Sequence, residues 1–249
     1  MFHTVKADFY RLLHSKGFWI TEGLLLINVA LASVLGIVGQ VATSSSETAS
    51  PVYEASSWTG FGSLVNLSSN LSVTTIFTLI ILSLLIGVDF SQKLYKNSLT
   101  TGISRIEYFL SKTFVLIVVS FAQLILAYLL AFCFGSLAHG IGTMPEHFWM
   151  TFAQTIAVQV LCSLAWISIA MSMLYLTHSI TSIFVTYILS TIVLGLPVAL
   201  YPKIELFHYF ALAANYDLVT DTSFFLTMSL VALSFFLIFS AFSYLFFKR

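Results

Sequence analysis

The chain has 249 residues, of which 59% are hydrophobic and only 8% are charged. A water-soluble domain of this size needs a more polar surface, so the composition excludes that class and indicates a multi-pass helical membrane protein. The formal net charge is zero and there is no basic domain, which argues against nucleic acid as a partner.

The basic residues are unevenly distributed between the segments that separate the apolar runs. Lys203 falls on one side of the predicted membrane, together with most of the acidic loop residues. The other basic residues fall on the opposite side: Lys6, Arg11, Lys16, Lys93, Lys96, Arg105, Lys112, Lys248 and Arg249. Because Lys and Arg accumulate on the cytoplasmic side of membrane proteins, we predict that both termini are cytoplasmic. That topology requires an even number of spans.

The N-terminal residues 1–16 are predicted to form a helix at the membrane interface. Val5, Phe9 and Leu12 recur at helical spacing, and the charged residues between them fall on other faces. The first span follows and contains Glu22. A carboxylate inside a span is costly unless it faces protein, water or a cation. Glu22 is therefore either held by a partner near the inner headgroups or part of a substrate path.

Residues 17–88 contain the first two spans, joined by an outer loop over 42–72. The second half of that loop places Trp58, Phe61 and Leu64 at helical spacing. We predict a short helix there that rests on the outer membrane surface.

A polar and basic segment over 89–104 separates the second and third spans. It carries Lys93 and Lys96, and its apolar residues, such as Phe90 and Leu94, are interleaved with polar ones. This pattern is typical of a short helix on the inner membrane surface.

The end of that segment has the signals of a turn followed by a new helix. Gly102 ends the surface helix, and Ser104 and Glu107 have the spacing of a capping box. We therefore predict that a helix begins near Arg105 and enters the bilayer. Residues 105–249 then supply spans three to six.

Polar residues inside the later spans are few. Gln123 lies in the third span and Gln159 in the fourth, where small and hydroxyl residues such as Ser163 share its face. Such a face indicates either close helix packing or a strip open to substrate. With Glu22, these two glutamines are the candidates for an intramembrane functional site. The fifth span is predicted to break near Pro197.

The sequence contains no pattern for chemistry of its own. A phosphate-binding loop ending in Gly-Lys-Ser/Thr, an HExxH pair and a GxSxG turn are all missing from it. The two cysteines, Cys133 and Cys162, fall inside spans and are interpreted as small apolar residues. The two histidines of the short outer loop, His139 and His147, are interpreted as ordinary polar residues. We therefore predict no catalytic, cofactor or metal-binding residue in this chain.

Two stretches carry a family resemblance: KADFYRLLHSK at 6–16 and GISRIEYFLSK at 102–112, the latter behind an acidic residue and a basic helix. They resemble permease subunits of ABC-2 type ABC transporters. The topology is most similar to the small six-span permeases associated with bacterial peptide export and with bacitracin or lantibiotic resistance. In that family this region is the coupling helix, which docks into a groove of the ATPase subunit.

The resemblance implies a single permease domain over 1–249 in a bacterial cell membrane, all-α, with six spans and both termini inside. The expected partners are an ABC ATPase subunit, which binds ATP and Mg, and a second permease, identical or different. The expected cargo is an amphipathic or antimicrobial peptide or a lipid-like molecule. The ATPase-coupling residues would be Lys96, Asn97, Leu99, Thr100, Gly102, Ile103, Ser104 and Arg105.

Two alternatives concern single residues and the function as a whole. Leu99 is the expected apolar anchor, because one side chain entering a partner pocket often dominates an interface. Arg105 could instead pair with headgroups or with Glu22. For the whole chain, the alternative is a non-transporting membrane protein that sequesters a bacteriocin or assists a sensor. A secondary transporter ranks third, because no inverted repeat is evident.

Overall fold

A computed structural model describes residues 2–36, 58–100 and 102–248. These residues form helices and contain no strand, and the first part of the predicted outer loop lies outside them. In chain order the helices are α1 (Phe2–Leu13), α2 (Lys16–Leu35), α3 (Gly60–Ser68), α4 (Leu71–Leu82), α5 (Val88–Ser91), α6 (Leu94–Thr100), α7 (Arg105–His139), α8 (Phe148–Thr177), α9 (Thr181–Leu200), α10 (Glu205–Phe210), α11 (Tyr216–Val219) and α12 (Thr222–Lys248). Six helical stretches are long and apolar enough to cross a membrane, counted over the described residues. The predicted all-α fold with six spans is confirmed.

The spans are α2, the stretch Leu71–Ser91, α7, α8, α9 and α12. Successive spans run in opposite directions. The start of α7 and the ends of α8 and α12 therefore meet at one end of the bundle, where Arg105 bonds to the backbone of Lys248. We call this the basic end. The other end is the opposite end.

Helix α8 lies at the centre of the bundle and packs along α12. Ser163, Ser168 and Ser172 of α8 are buried, and each hydroxyl donates to a carbonyl of its own helix. These residues therefore mark close helix packing, as small and hydroxyl residues usually do in membranes. The structure favours that interpretation over a strip open to substrate.

Helix α3 packs against the end of α7 at the opposite end. A Cβ atom on Gly135 would overlap the side chain of Ser63, and one on Gly60 would overlap that of Ser136. The two helices therefore approach as closely as small residues allow. The predicted short helix exists, and its position at the membrane surface stays a prediction. The helix is packed into the protein, and Trp58 is buried.

The break predicted in the fifth span is also wrong, because α9 is helical through Pro197 to Leu200. Proline removes one backbone donor, but membrane-spanning helices tolerate proline because neighbouring groups and local adjustments satisfy the freed carbonyl. Along α9, all of which the structure describes, Ile183 is the only buried residue. The two short helices α10 and α11 occupy the connection from α9 to α12.

Candidate functional site

The second span reaches further toward the basic end than the sequence predicted. A π-helical turn over Ser83–Gly87 joins α4 to α5, so the span extends to Ser91 and includes Asp89. Such π-helical turns inside helices occur frequently at functional sites. Lys93, with a positive φ of 58°, then separates α5 from α6. The predicted surface helix is thus divided: α5 ends the second span, and α6 is the short helix that follows it.

The chain enters α7 as the sequence predicted. Gly102 has φ +94°, a backbone conformation that favours glycine, and it turns the chain after α6. The hydroxyl oxygen of Ser104 accepts a hydrogen bond from the amide of Glu107 at 3.2 Å, and α7 begins at Arg105. The predicted N-cap is confirmed.

A group of charges, of which three are buried and the fourth, Arg11, is 44% exposed, lies beside this segment at the basic end. We call it the charge cluster; it consists of Asp8, Arg11, Asp89 and Lys112. The Nζ atom of Lys112 lies 2.6 Å from Oδ1 of Asp8 and 2.9 Å from Oδ2 of Asp89. Arg11 Nη1 lies 2.6 Å from Oδ1 of Asp89. The cluster therefore connects α1, α5 and α7, which are remote from one another in sequence.

Neutral groups complete the hydrogen bonding of the cluster. The hydroxyl of Tyr108 donates to Oδ2 of Asp89 at 2.8 Å, and that of Ser111 donates to Oδ2 of Asp8 at 3.0 Å. Arg11 also donates to the carbonyl of Leu85, in the π-helical turn, at 2.8 Å. All four carboxylate oxygens have a partner, which is the condition under which buried charges are tolerated.

The two positive and two negative charges of the cluster balance each other. Lys112 and Asp89 are each only 2% exposed, so neither charge is solvated by bulk water. Burial disfavours the charge of Arg11, but the hydrogen bond and the charge of Asp89 outweigh it and hold the pKa of Arg11 above its ordinary value. Arg11 therefore stays charged at any physiological pH.

The charge cluster was missed by reasoning from the sequence. The sequence pattern puts Asp8 on a different face of the N-terminal helix from its apolar residues, and it identifies Lys112 as a basic residue that indicates orientation. One local signal was available: Asp8 lies four residues before Leu12, so both share a helix face, and both are buried. The partner of Asp8 had no such signal, because Lys112 is 104 residues away.

Deeper in the bundle, Glu22 and Gln123 meet. Gln123 Nε2 donates to Oε1 of Glu22 at 2.9 Å, and Thr78 donates to Oε1 of Gln123 at the same distance. We call these three residues the intramembrane triad. The other carboxylate oxygen of Glu22 is buried and has no hydrogen-bond partner among the described residues. The partner of Glu22 is thus a neighbouring helix rather than the headgroup region.

Gln159 lies toward the opposite end and serves a different purpose. Its Nε2 donates to the carbonyls of Ser68 and Ala214 at 2.7 and 2.8 Å, and its Oε1 accepts from the hydroxyl of Tyr128. Every polar atom of the Gln159 side chain is therefore used to join α3, α7 and α8 to the loop before α11. This arrangement is that of a structural residue.

The predicted coupling residues follow one another along α6 and the turn after it. The side chains of Lys96, Asn97 and Thr100 are exposed, as are Gly102, Ser104 and Arg105, whereas Ile103 is half-buried. Leu99 lies within α6. The guanidinium of Arg105 donates to the backbone carbonyl of Lys248, and Glu22 is bound by Gln123. The alternative in which Arg105 pairs with Glu22 is therefore wrong.

Metal ligands are not grouped in the described part of the chain, where no three His, Cys, Asp or Glu side chains come together. Of the two outer-loop histidines, His139 has a ring nitrogen 3.1 Å from the carbonyl of Val34.

Comparison with protein families agrees with this architecture. The model of a family described as "ABC-2 family transporter protein" matches residues 4–195, from α1 through most of α9. The chain therefore belongs to the ABC-2 family of transporter permeases and is a multi-pass membrane component of an ABC transporter. Membership implies an ABC ATPase as a separate partner. No curated protein sequence matches the chain.

Proposed function

We propose that this chain is the permease subunit of an ATP-driven exporter in a bacterial plasma membrane, with its basic end and both termini in the cytoplasm. The orientation is supported by the position of the basic residues, since Lys16, Arg105 and Lys248 all lie at span ends of the basic end. ATP and Mg would be bound by the partner subunit.

The contact with the ATPase is formed by α6 and the turn over 102–105. This segment is connected to two spans by very short links, and its polar side chains are exposed. These side chains are therefore accessible to a soluble partner. Leu99 supplies the apolar anchor in this proposal.

The charge cluster is the observation that carries the proposal. Asp89 lies just before α6 in the chain and Lys112 lies two turns into α7, after it. Both are bound to each other and to α1 through Asp8 and Arg11. A displacement of α6 by the ATPase would therefore move α1, the second span and α7 together. Without the cluster, rotation of the backbone at Lys93 and Gly102 could take up the motion before it reached the spans.

The cargo is proposed to be an amphipathic or antimicrobial peptide or a lipid-like molecule, handled together with a second permease. The support is compositional: the chain has 24 Phe residues, and Glu22 is an isolated carboxylate within a largely apolar span. Such an environment suits an apolar or amphipathic molecule better than a small hydrophilic one.

The experiment is a Leu99→Asp substitution, read by pull-down of the ATPase subunit and by ATP-dependent export from vesicles. Loss of an apolar anchor should weaken ATPase binding by about 2 kcal/mol or more, with the spans still folded. Ser91→Asp is the matched control, because it adds the same charge at an exposed residue of the neighbouring helix α5. Wild-type binding and export by the Leu99→Asp variant would remove this segment from the coupling role.

Two further assays distinguish an exporter from the alternative, a membrane protein that sequesters a bacteriocin. An exporter requires its ATPase, because the chain has no energy source of its own. Protection of cells from a bacteriocin in a strain that lacks the ATPase would favour the non-transporting alternative. Export by the purified chain alone, driven by a proton gradient, would contradict the assignment altogether.

A further inference from the structure

A cavity of about 630 Å³ lies at the basic end, between α6 and the ends of α8 and α12. Its volume lies in the range of sites for small organic ligands. Its charged and strongly polar lining consists of Lys96, Thr100, Arg105 and His178, and the rest of the lining is aromatic or aliphatic. Among these described residues none is acidic, so the cavity is suited to an anion.

The polar groups of the cavity are contributed from several elements. Lys96 and Thr100 are four residues apart on α6, so they share the face that lines the cavity. Arg105, at the start of α7, and His178, just after α8, are exposed residues of the same lining. The cavity is thus surrounded by an ammonium group, a guanidinium group, a hydroxyl and an imidazole. Such groups can donate hydrogen bonds to a phosphate.

The remaining lining is apolar and belongs to the membrane spans. Leu176 is 48% exposed at the end of α8, and Phe246 and Phe247 lie at the end of α12. The aromatic ring of Tyr175 is buried, and its hydroxyl has no hydrogen-bond partner among the described residues.

We propose that the cavity binds the phosphate headgroup of an anionic phospholipid from the inner leaflet, with an acyl chain lying along the ends of α8 and α12. Basic pockets between membrane helices on the cytoplasmic side bind such headgroups. An acidic side chain of the ATPase would satisfy Lys96 and Arg105 but would leave the apolar lining uncovered. The proposal relies on the cytoplasmic placement of the basic end in the proposed function. It adds a role for the lipid, which would hold α6 against α8 and α12.

The test uses the full-length chain in detergent, without an ATPase, titrated calorimetrically with short-chain phosphatidylglycerol. Phosphatidylcholine with the same acyl chains and inorganic phosphate are titrated in parallel. We expect phosphatidylglycerol to bind, and both comparison ligands to bind at least about tenfold more weakly, because one lacks the net charge and the other the apolar part.

Two variants and a control complete the test. Lys96→Gln and Arg105→Gln should each lower the affinity for phosphatidylglycerol about fivefold, as expected for one basic group at a lipid surface. Lys93→Gln is the matched control, because Lys93 is exposed on the same segment and does not line the cavity. Lys96→Gln keeps the test valid if the Arg105 variant folds poorly, since the Lys96 side chain makes no hydrogen bond with the described residues.

Three results would overturn the proposal: equal binding of the two phospholipids, an equal loss in the Lys93→Gln control, or phosphate binding as tight as that of the lipid. The second would indicate general attraction to charge, and the third a site for a free anion. Because no ATPase is present, a failure of this test is distinguishable from a failure of the chain to bind an ATPase.

Discussion

The charge cluster and the intramembrane triad both connect the second span to α7, but they satisfy their charges in opposite ways. In the cluster, each oxygen of Asp8 and Asp89 has a partner, and two cations balance two carboxylates. In the triad, among the residues that the structure describes, Glu22 has no cation beside it and one of its oxygens has no partner. The two sites therefore differ in charge balance rather than in burial alone.

The difference indicates distinct physical roles. A balanced and fully bonded group of charges resists rearrangement, because removing any member leaves another buried without its counter-charge. A carboxylate held by a single amide can lose its charge with little penalty. We therefore regard the cluster as a fixed joint at the basic end, and the triad as a site whose disruption the fold can tolerate.

Among the substitutions that test this difference, we expect the largest loss of stability at Lys112. Lys112→Met keeps the length of the side chain but leaves two buried carboxylates close together without their shared cation. We expect a loss of about 3–5 kcal/mol of stability, measured as a lower thermal unfolding temperature of the purified protein in detergent. Lys93→Met, at an exposed lysine of the same end, is the control and should leave the unfolding temperature unchanged. A stable Lys112→Met variant would show that the cluster is not a joint.

A smaller change in stability is expected for one of two buried tyrosines, and the other serves as its control. Tyr108→Phe removes the hydrogen bond to Asp89, and the loss should be about 1.5–3 kcal/mol, as for bonds to charged groups. Tyr175→Phe removes a hydroxyl that has no partner among the described residues, so in lipid-free detergent its stability should equal or exceed that of the wild type. The pair matches in size, burial and chemistry. Equal unfolding temperatures for the two variants would argue against a specific role of the bond to Asp89.

The smallest effect is expected at Glu22. In Glu22→Gln the side-chain carbonyl still accepts from Gln123, and the change removes a charge from an apolar environment. We expect stability within about 1 kcal/mol of the wild type, with insertion, ATPase assembly and transport unchanged. Transport assayed in vesicles is the decisive measurement. A loss of transport with assembly intact would place Glu22 in contact with cargo or with a mechanistic cation.

The sequence predicts the elements of this fold better than their contacts. Spans follow from long apolar runs, and the start of α7 follows from the capping signal at Ser104, because both signals are local in the chain. The position of α3 does not follow in the same way. How closely an amphipathic helix packs against the protein depends on residues such as Gly135 and Ser136, which are remote from it in sequence.

The candidate site shows the same limit more clearly. Exposed Lys96 and Asn97 lie on a short helix after the second span, as the local pattern of polar residues indicates. The pairing of Asp8 with Lys112 depends instead on how α1 packs against α7. A basic residue near a span end has the same local appearance whether it faces headgroups or a buried carboxylate. Composition alone therefore could not distinguish a charge that sets orientation from one that joins helices.

The central claim, that α6 at the basic end contacts an ATPase subunit, is tested most directly by site-specific photocrosslinking in native membranes. A photoreactive residue at Asn97, exposed on α6, is compared with one at Lys203, exposed at the opposite end. The account predicts a crosslink from position 97 to an ATPase subunit that is lost when the ATPase gene is deleted, and none from position 203. A crosslink to the ATPase from position 203 but not from position 97 would contradict both the orientation and the coupling role of α6.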